Sequence, residues 1–262
     1  MKIIPVIENS RVEEFHNERG LSLYIETKNK KILFDTGVSD KVIKNLIKLG
    51  IDISEIDYFI ISHGHKDHIG GLRYLLDAGI DPGRVVIKKG VVSTYYFKCF
   101  IKKEIGLSSE DVKRLEGIEE VEVGGLYRLE EDIYLISPKG RSSPFYYKGR
   151  ERDDFSHELS LVVVEDGRLN VVVGCCHFGV ERLLESLNCY FPGYPINSLT
   201  GGLHTRSLPL NPGGLIRYIK LMKKSGIKKY YLGHCTGEMT ISIMKRYIEG
   251  VDKISIGRSY HT

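Results

Sequence analysis

The chain has 262 residues, 42% hydrophobic and 27% charged, with a formal net charge of +4. That length can bury a full core, and the composition is that of a globular protein rather than a disordered or fibrous one. The mild basicity is too weak alone to argue for nucleic acid, and no apolar run approaches the roughly 18 residues of a membrane span.

The N-terminal stretch lacks the apolar core of a signal peptide, so a cytoplasmic location is the expectation. Cys99, Cys175, Cys176, Cys189 and Cys235 form neither a CxxC pair nor a disulfide framework, which agrees with that location. Glutamine is absent while lysine, isoleucine and glutamate abound, a pattern resembling proteins from hot environments.

In chain order, strands are expected at Lys2–Ile7, 21–26, Lys31–Phe34 and 58–62, with a helix over 41–49 before the last of these. Ser39 or Asp40 is placed to cap that helix and Gly50 to end it. A helix from Leu72, strand Val85–Lys88, and helices over 92–104 and Ser109–Leu115 follow. Strands are then read at 126–129, 133–137, 159–165 and 169–173. The last two form a hairpin around Glu165-Asp166-Gly167-Arg168. Helices and strands alternate from there to the end. Without an internal repeat or linker, residues 1–262 read as a single domain. Residues 137–155, rich in Gly, Pro and Ser, read as a loop.

One stretch carries chemistry. "FIISHGHKDHIGG" places His63, His65, Asp67 and His68 directly after an apolar strand. Imidazole nitrogens and carboxylate oxygens are the usual ligands of borderline divalent metals, zinc first among them, with iron or manganese as alternatives. In a tight turn, residues two apart can face the same way. His63 and His65 are therefore expected to share one metal, and Asp67 and His68 to face a second, so one or two ions are expected. Further ligands must come from other strand ends. "VVVGCCHFG" offers His177, "LGHCTG" offers His234 and "GGLHTR" offers His204, each beside glycine. His157 is a weaker ligand candidate because it precedes a strand, with Asp154 or Glu158 able to serve equally. Cys175 and Cys176 read as small buried residues rather than sulfur ligands.

"SHGHKDHIGGL" resembles the signature of the metallo-β-lactamase superfamily, and "KILFDTG" resembles the early strand of that fold, whose aspartate sits beneath the metals; here it is Asp35. The resemblance covers nearly the whole chain. It implies an α/β, four-layer αββα sandwich. "GLSLYIE", "GCxHxG", "GGLH" and "HCTG" together resemble an archaeal and bacterial branch of metal-dependent hydrolases. That branch includes 7,8-dihydropterin-6-methyl-4-(β-D-ribofuranosyl)-aminobenzene-5'-phosphate synthase, a transferase of tetrahydromethanopterin biosynthesis that releases pyrophosphate. Many superfamily members carry a metal-bridging aspartate where this chain reads "VGCCHFG".

The expectation is a metal-dependent enzyme acting on a small phosphorylated or ester substrate, with the pterin transferase as alternative and a metal-retaining sensor as a further one. His63, His65 and His177 would hold one metal, and Asp67, His68 and His234 a second. Asp67 could instead act as general base, with His204 and Arg206 orienting substrate or stabilising charge. The 137–155 segment carries Arg141, Arg150 and Tyr146. It is read either as a solvated loop or as a lid that binds phosphate and stacks on an aromatic ring. The partner expected is thus a phosphorylated, aromatic small molecule, with neither membrane nor nucleic acid. Homo-oligomerisation stays open.

Overall fold

The computed structural model describes residues 1–99, 101–138 and 145–262. One sheet runs Tyr260–His261, Lys2–Ile7, Ser22–Glu26, Lys31–Phe34, Tyr58–Ile61, Val85–Lys88, Glu120–Val121. The other runs Val251–Lys253, Lys229–Leu232, Ile196–Gly201, Arg168–Val173, Ser160–Glu165, Ile133–Ile136, Leu126–Glu130. Each sheet combines antiparallel and parallel pairings. The parallel strands of one begin at Lys31–Phe34, and those of the other include Arg168–Val173, Ile196–Gly201 and Lys229–Leu232.

Strand alternation explains how the layers stack, because successive side chains point to opposite faces. Phe34, Ile60 and Val172 face the space between the sheets, with Leu23, Leu135 and Leu161. Leu33, Phe59 and Ile61 point the other way, onto Val42, Leu46, Leu72 and Leu75 of helices Lys41–Lys48 and Leu72–Asp77. Val171, Val173 and Tyr230 likewise cover Leu183, Met222 and Met244 of helices Val180–Tyr190, Pro212–Lys224 and Glu238–Tyr247. The result is the expected αββα sandwich. Among the described residues no helix is long and apolar enough to cross a membrane.

Local expectations hold in most places. The hairpin pairs Glu165 with Arg168 as anticipated. Asp40 occupies the cap position of its helix but makes no side-chain cap; Ser39 Oγ accepts the Lys41 N–H at 3.4 Å, and Asp40 pairs with Lys44 instead. Gly50 follows that helix with φ of 67°.

The expectation for 92–104 is corrected. This stretch is not helical; it forms strands Tyr95–Lys98 and Lys102–Glu104. They join Tyr146–Lys148 and Glu151–Arg152, both inside the segment read as loop, in a separate four-stranded sheet. Aromatic residues favour strands when a partner strand offers them a cross-strand contact, and Tyr96 lies opposite Tyr147. A single-chain periodicity cannot see that partner.

Gly71 shows how tightly the ligand turn is packed. A Cβ at this position would lie 2.1 Å from the Thr36 carbonyl oxygen, and both are backbone-fixed. Gly71→Ala is expected to cost about 1–3 kcal/mol, the usual penalty of overpacking. The check is the urea-denaturation midpoint; an unchanged midpoint would contradict the packing described.

Candidate metal centre

Five strand ends deliver the site. Lys31–Phe34 leads to Asp35, and the adjacent parallel strand Tyr58–Ile61 leads to Ser62 and His63. In the opposite sheet, three neighbouring parallel strands end at glycine and then supply Cys175 and His177, His204, and His234. Ligands commonly gather beyond the carboxyl ends of parallel strands. At Gly174 the two sheets nearly touch: a Cβ there would lie 2.1 Å from Ser62 Oγ.

Asp35 is wholly buried, with φ of 62°. Its Oδ1 accepts the Ser62 N–H at 2.7 Å, and its Oδ2 accepts the Ser62 hydroxyl at 2.8 Å. Oδ2 also pairs with His68 Nδ1 at 2.6 Å. These bonds set tautomers. With its hydroxyl proton committed to Asp35, Ser62 Oγ accepts from His63 Nδ1 at 2.8 Å. His63 and His68 therefore both turn Nε2 toward the centre, an orientation that outer hydrogen bonds commonly impose on metal ligands.

The inward atoms crowd. His63 Nε2 lies 3.1 Å from His65 Nδ1, and His68 Nε2 lies 3.1 Å from His234 Nε2. Cys175 Sγ is 3.2 Å from His68 Nε2. Among the described residues the buried Nε2 atoms of His65 and His177 have no hydrogen-bond partner. Two groups of donor atoms, His63/Cys175/His177 and His68/Cys175/His234, each lie within 4.8 Å of one another. Converging lone pairs in a dry pocket repel unless a proton or cation stands between them. A nitrogen- and sulfur-rich donor set of this kind fits a borderline divalent metal.

Cys175 and Cys176 are both buried, as expected, but they face different ways. Cys176 packs in the hydrophobic core, but Cys175 faces the centre and belongs to both donor groups. A third group joins Cys175 and Cys235 to His204. His157 is taken up elsewhere: its Nδ1 accepts the Gly64 N–H at 3.3 Å and its Nε2 meets Asp153 at 3.1 Å. Glu158 accepts the backbone N–H groups of His177 and Phe178, and so holds the turn that carries His177. The Asp154 carboxylate caps the Ser156 N–H. His177 precedes its helix by a turn, since that helix starts at Val180.

The remaining predicted residues separate. Asp67 Oδ2 is 3.7 Å from His234 Nε2. Tyr146 stacks over His65 with centroids 5.8 Å apart, and its hydroxyl is 3.3 Å from His204 Nε2. His204 is exposed and lies 4.4 Å, ring to ring, from His177. Arg206 donates to the His234 carbonyl at 3.5 Å and lines a cleft of ≈ 250 Å³ with Glu8, Gly237, Glu238 and Lys253. Arg150 sits in the exposed hairpin turn before Glu151–Arg152. Arg141 lies outside the described residues. Phe155, not singled out by sequence, stacks face to face on His177 at 4.4 Å.

Burial governs the site's protonation. It lowers the pKa of His63 and His177 far below the ordinary histidine value, and that of His65 to about 3. Burial also lowers His234. For His68 burial pushes down too, but Asp35 and Asp67 outweigh it and lift the ring to about 9. Burial would raise Asp67, yet the surrounding histidines and Arg19 bring it to about 2. Glu158 is pushed up to about 8 by burial, against the two N–H bonds it accepts.

The model of the metallo-beta-lactamase superfamily matches residues 18–138. The chain has the metallo-β-lactamase fold, and the part of it matched by that superfamily's model is somewhat under half of its length. It is 26% identical over 269 residues to 7,8-dihydropterin-6-methyl-4-(β-D-ribofuranosyl)-aminobenzene-5'-phosphate synthase of Methanocaldococcus jannaschii, covering 93% of this chain and 90% of the relative. The crystal structure of Tm1679, a metal-dependent hydrolase of the β-lactamase superfamily, matches with a TM-score of 0.84 and 27% identity, over 100% of this chain and 99% of that one. Human tRNase Z, short form, shares the fold at a TM-score of 0.59 and 15% identity, over 100% of this chain and 99% of its own.

The protonation pattern gives a pH prediction for the metal-free protein. Between pH 7 and 5 the unfolded chain protonates histidines that the folded state keeps neutral at His63, His65, His177 and His234. The unfolded state then binds more protons, so stability falls as pH falls. Glu158 acts oppositely, because its folded state holds the extra proton between about 4.3 and the raised value, and so does His68, but these are two groups against four. His68 contributes stability that is complete below the unfolded histidine value near 6.5 and is lost as pH rises through about 9. Denaturation midpoints in chelator are therefore expected to drop from pH 7 to pH 5; equal or higher midpoints at pH 5 would contradict the pattern.

Proposed function

We propose that the protein is a metal-dependent enzyme acting on a small phosphorylated or ester substrate. The observation that carries this reading is the gathering of His63 and His177, and of His68 and His234, into two adjacent donor groups that both include Cys175, with His65 Nδ1 beside His63 Nε2. In this reading His63, His65 and His177 would hold one divalent metal and Asp67, His68 and His234 a second, with the Cys175 thiol available as a further donor. A bound divalent metal supplies charge that polarises a phosphoryl or carbonyl oxygen and acidifies water.

The chain's own residues do the rest. Asp35 and Ser62 fix the His63 and His68 rings and keep their Nε2 atoms inward. His204, on the open side, holds a proton at the substrate's leaving oxygen, with the Tyr146 hydroxyl beside it. Tyr146 and Phe155 wall the centre with aromatic surface, which excludes water and accepts a flat ring by stacking.

A second reading is favoured by the length of the similarity to the Methanocaldococcus jannaschii synthase. It makes the protein a transferase that joins a pterin to an arylamine phosphate and releases pyrophosphate. Both readings need a metal beside an anionic group; the transferase must also seat two aromatic partners. The assay that separates them sets bis-p-nitrophenyl phosphate hydrolysis against pyrophosphate release from a pterin diphosphate and an arylamine. Turnover of neither substrate by metal-loaded protein would remove both readings.

Purified protein is expected to carry about one to two equivalents of zinc, iron or manganese. His65→Ala and His177→Ala are each expected to abolish turnover while circular dichroism stays unchanged, since both project from strand ends rather than the core. Full activity in His177→Ala would return that residue to a packing role.

A further inference from the structure

We propose that Arg19 receives a phosphate or diphosphate group of the substrate at the mouth of the centre, an inference that rests on the phosphate reading above. No motif marks this arginine, and it lies far from the histidine cluster in sequence. The fold builds it into the ligand frame. The neighbouring Gly20 N–H donates to Asn9 Oδ1 at 3.1 Å. The same Asn9 contacts His234 Nδ1 at 3.2 Å and donates its amide to the His234 carbonyl at 3.3 Å. One residue further, the Leu21 N–H donates to the Asp67 carbonyl at 3.1 Å. The backbone beside Arg19 is thus bonded to the turns that carry Asp67 and His234.

The side chain leaves this frame for solvent, beside Asp67. It is 74% exposed, and its Nε lies 3.7 Å from Asp67 Oδ2. Among the described residues that is its only ion pair, and the distance is too long for a hydrogen bond. With Asp67 serving a metal, Arg19 would be left as a cation without its carboxylate partner. Its planar fork can pair two phosphate oxygens at once.

The other arginines are less suited. Arg206 already donates to the His234 carbonyl, in a cleft that it shares with His234, Lys253 and the carboxylates of Glu8 and Glu238, which oppose an anion. Arg150 is in an exposed hairpin turn. Arg19 acts here as a specificity residue: it selects substrates that carry phosphate and takes no part in bond breaking.

The test is titration calorimetry of inorganic phosphate and pyrophosphate into zinc-loaded wild type, Arg19→Ala and Arg19→Lys. Metal content and the absorption spectrum of the cobalt-substituted protein are measured alongside. Arg19→Ala should weaken anion binding at least about tenfold, as loss of a charge-assisted hydrogen bond does, with metal content and spectrum unchanged. Arg19→Lys should fall between. Preference for pyrophosphate over phosphate identifies a diphosphate as the group received; equal affinity identifies a single phosphate. Equal anion binding in wild type and Arg19→Ala would overturn the proposal. Loss of metal or an altered cobalt spectrum would overturn it too, by showing that Arg19 serves to hold Asp67. Absence of anion binding in the wild type would instead remove the phosphate reading itself, and Arg19's role with it.

Discussion

The buried carboxylate of Asp35 is the interaction on which the centre depends. It stands at the end of one strand and binds both the backbone and the hydroxyl of Ser62, at the end of the next. It also orients His68 directly and His63 through Ser62. A carboxylate without water must have its charge met by such donors, so these partners cannot move independently. The left-handed backbone at Asp35 is a strain that the surrounding bonds over-determine. Removing the carboxylate would leave buried imidazoles without the partner that aims them.

The second sheet must meet this frame across a narrow gap. Gly174 permits the approach by presenting no Cβ to Ser62. The residues that follow it then decide the donor set, with Cys175 facing the histidines and Cys176 facing the core. The small third sheet closes the opposite side. It carries Tyr95 against His157 and Tyr146 over His65, and His157 ties the metal turn to Asp153. The wall over the centre and the ligand turn are therefore joined through one buried imidazole.

Much of this was legible in the chain. The apolar strand before His63, the hairpin at Asp166 and the glycine-then-histidine strand ends all follow from local pattern, and local pattern agrees with the fold there. The failures have physical causes. The stretch from Tyr95 to Glu104 is too short and too evenly mixed for periodicity to separate helix from strand; its partner strand, which decides the matter, lies some distance away in sequence. Cys175 and Cys176 are adjacent and chemically identical, so only the direction in which each leaves the strand end distinguishes them. Phe155 and Arg19 reach the site by tertiary threading and carry no spacing signal.

The proposed metal centre requires Asp35 to organise histidines of both sheets, with Cys175 among them. X-ray absorption at the zinc edge of the metal-loaded protein tests it most directly. Nitrogen or oxygen neighbours are expected at about 2.0–2.2 Å together with a sulfur neighbour at about 2.3 Å, the sulfur vanishing in Cys175→Ser. A zinc environment of light atoms alone in the wild type would contradict the shared place given to Cys175. An environment of loosely held oxygens would contradict the centre itself.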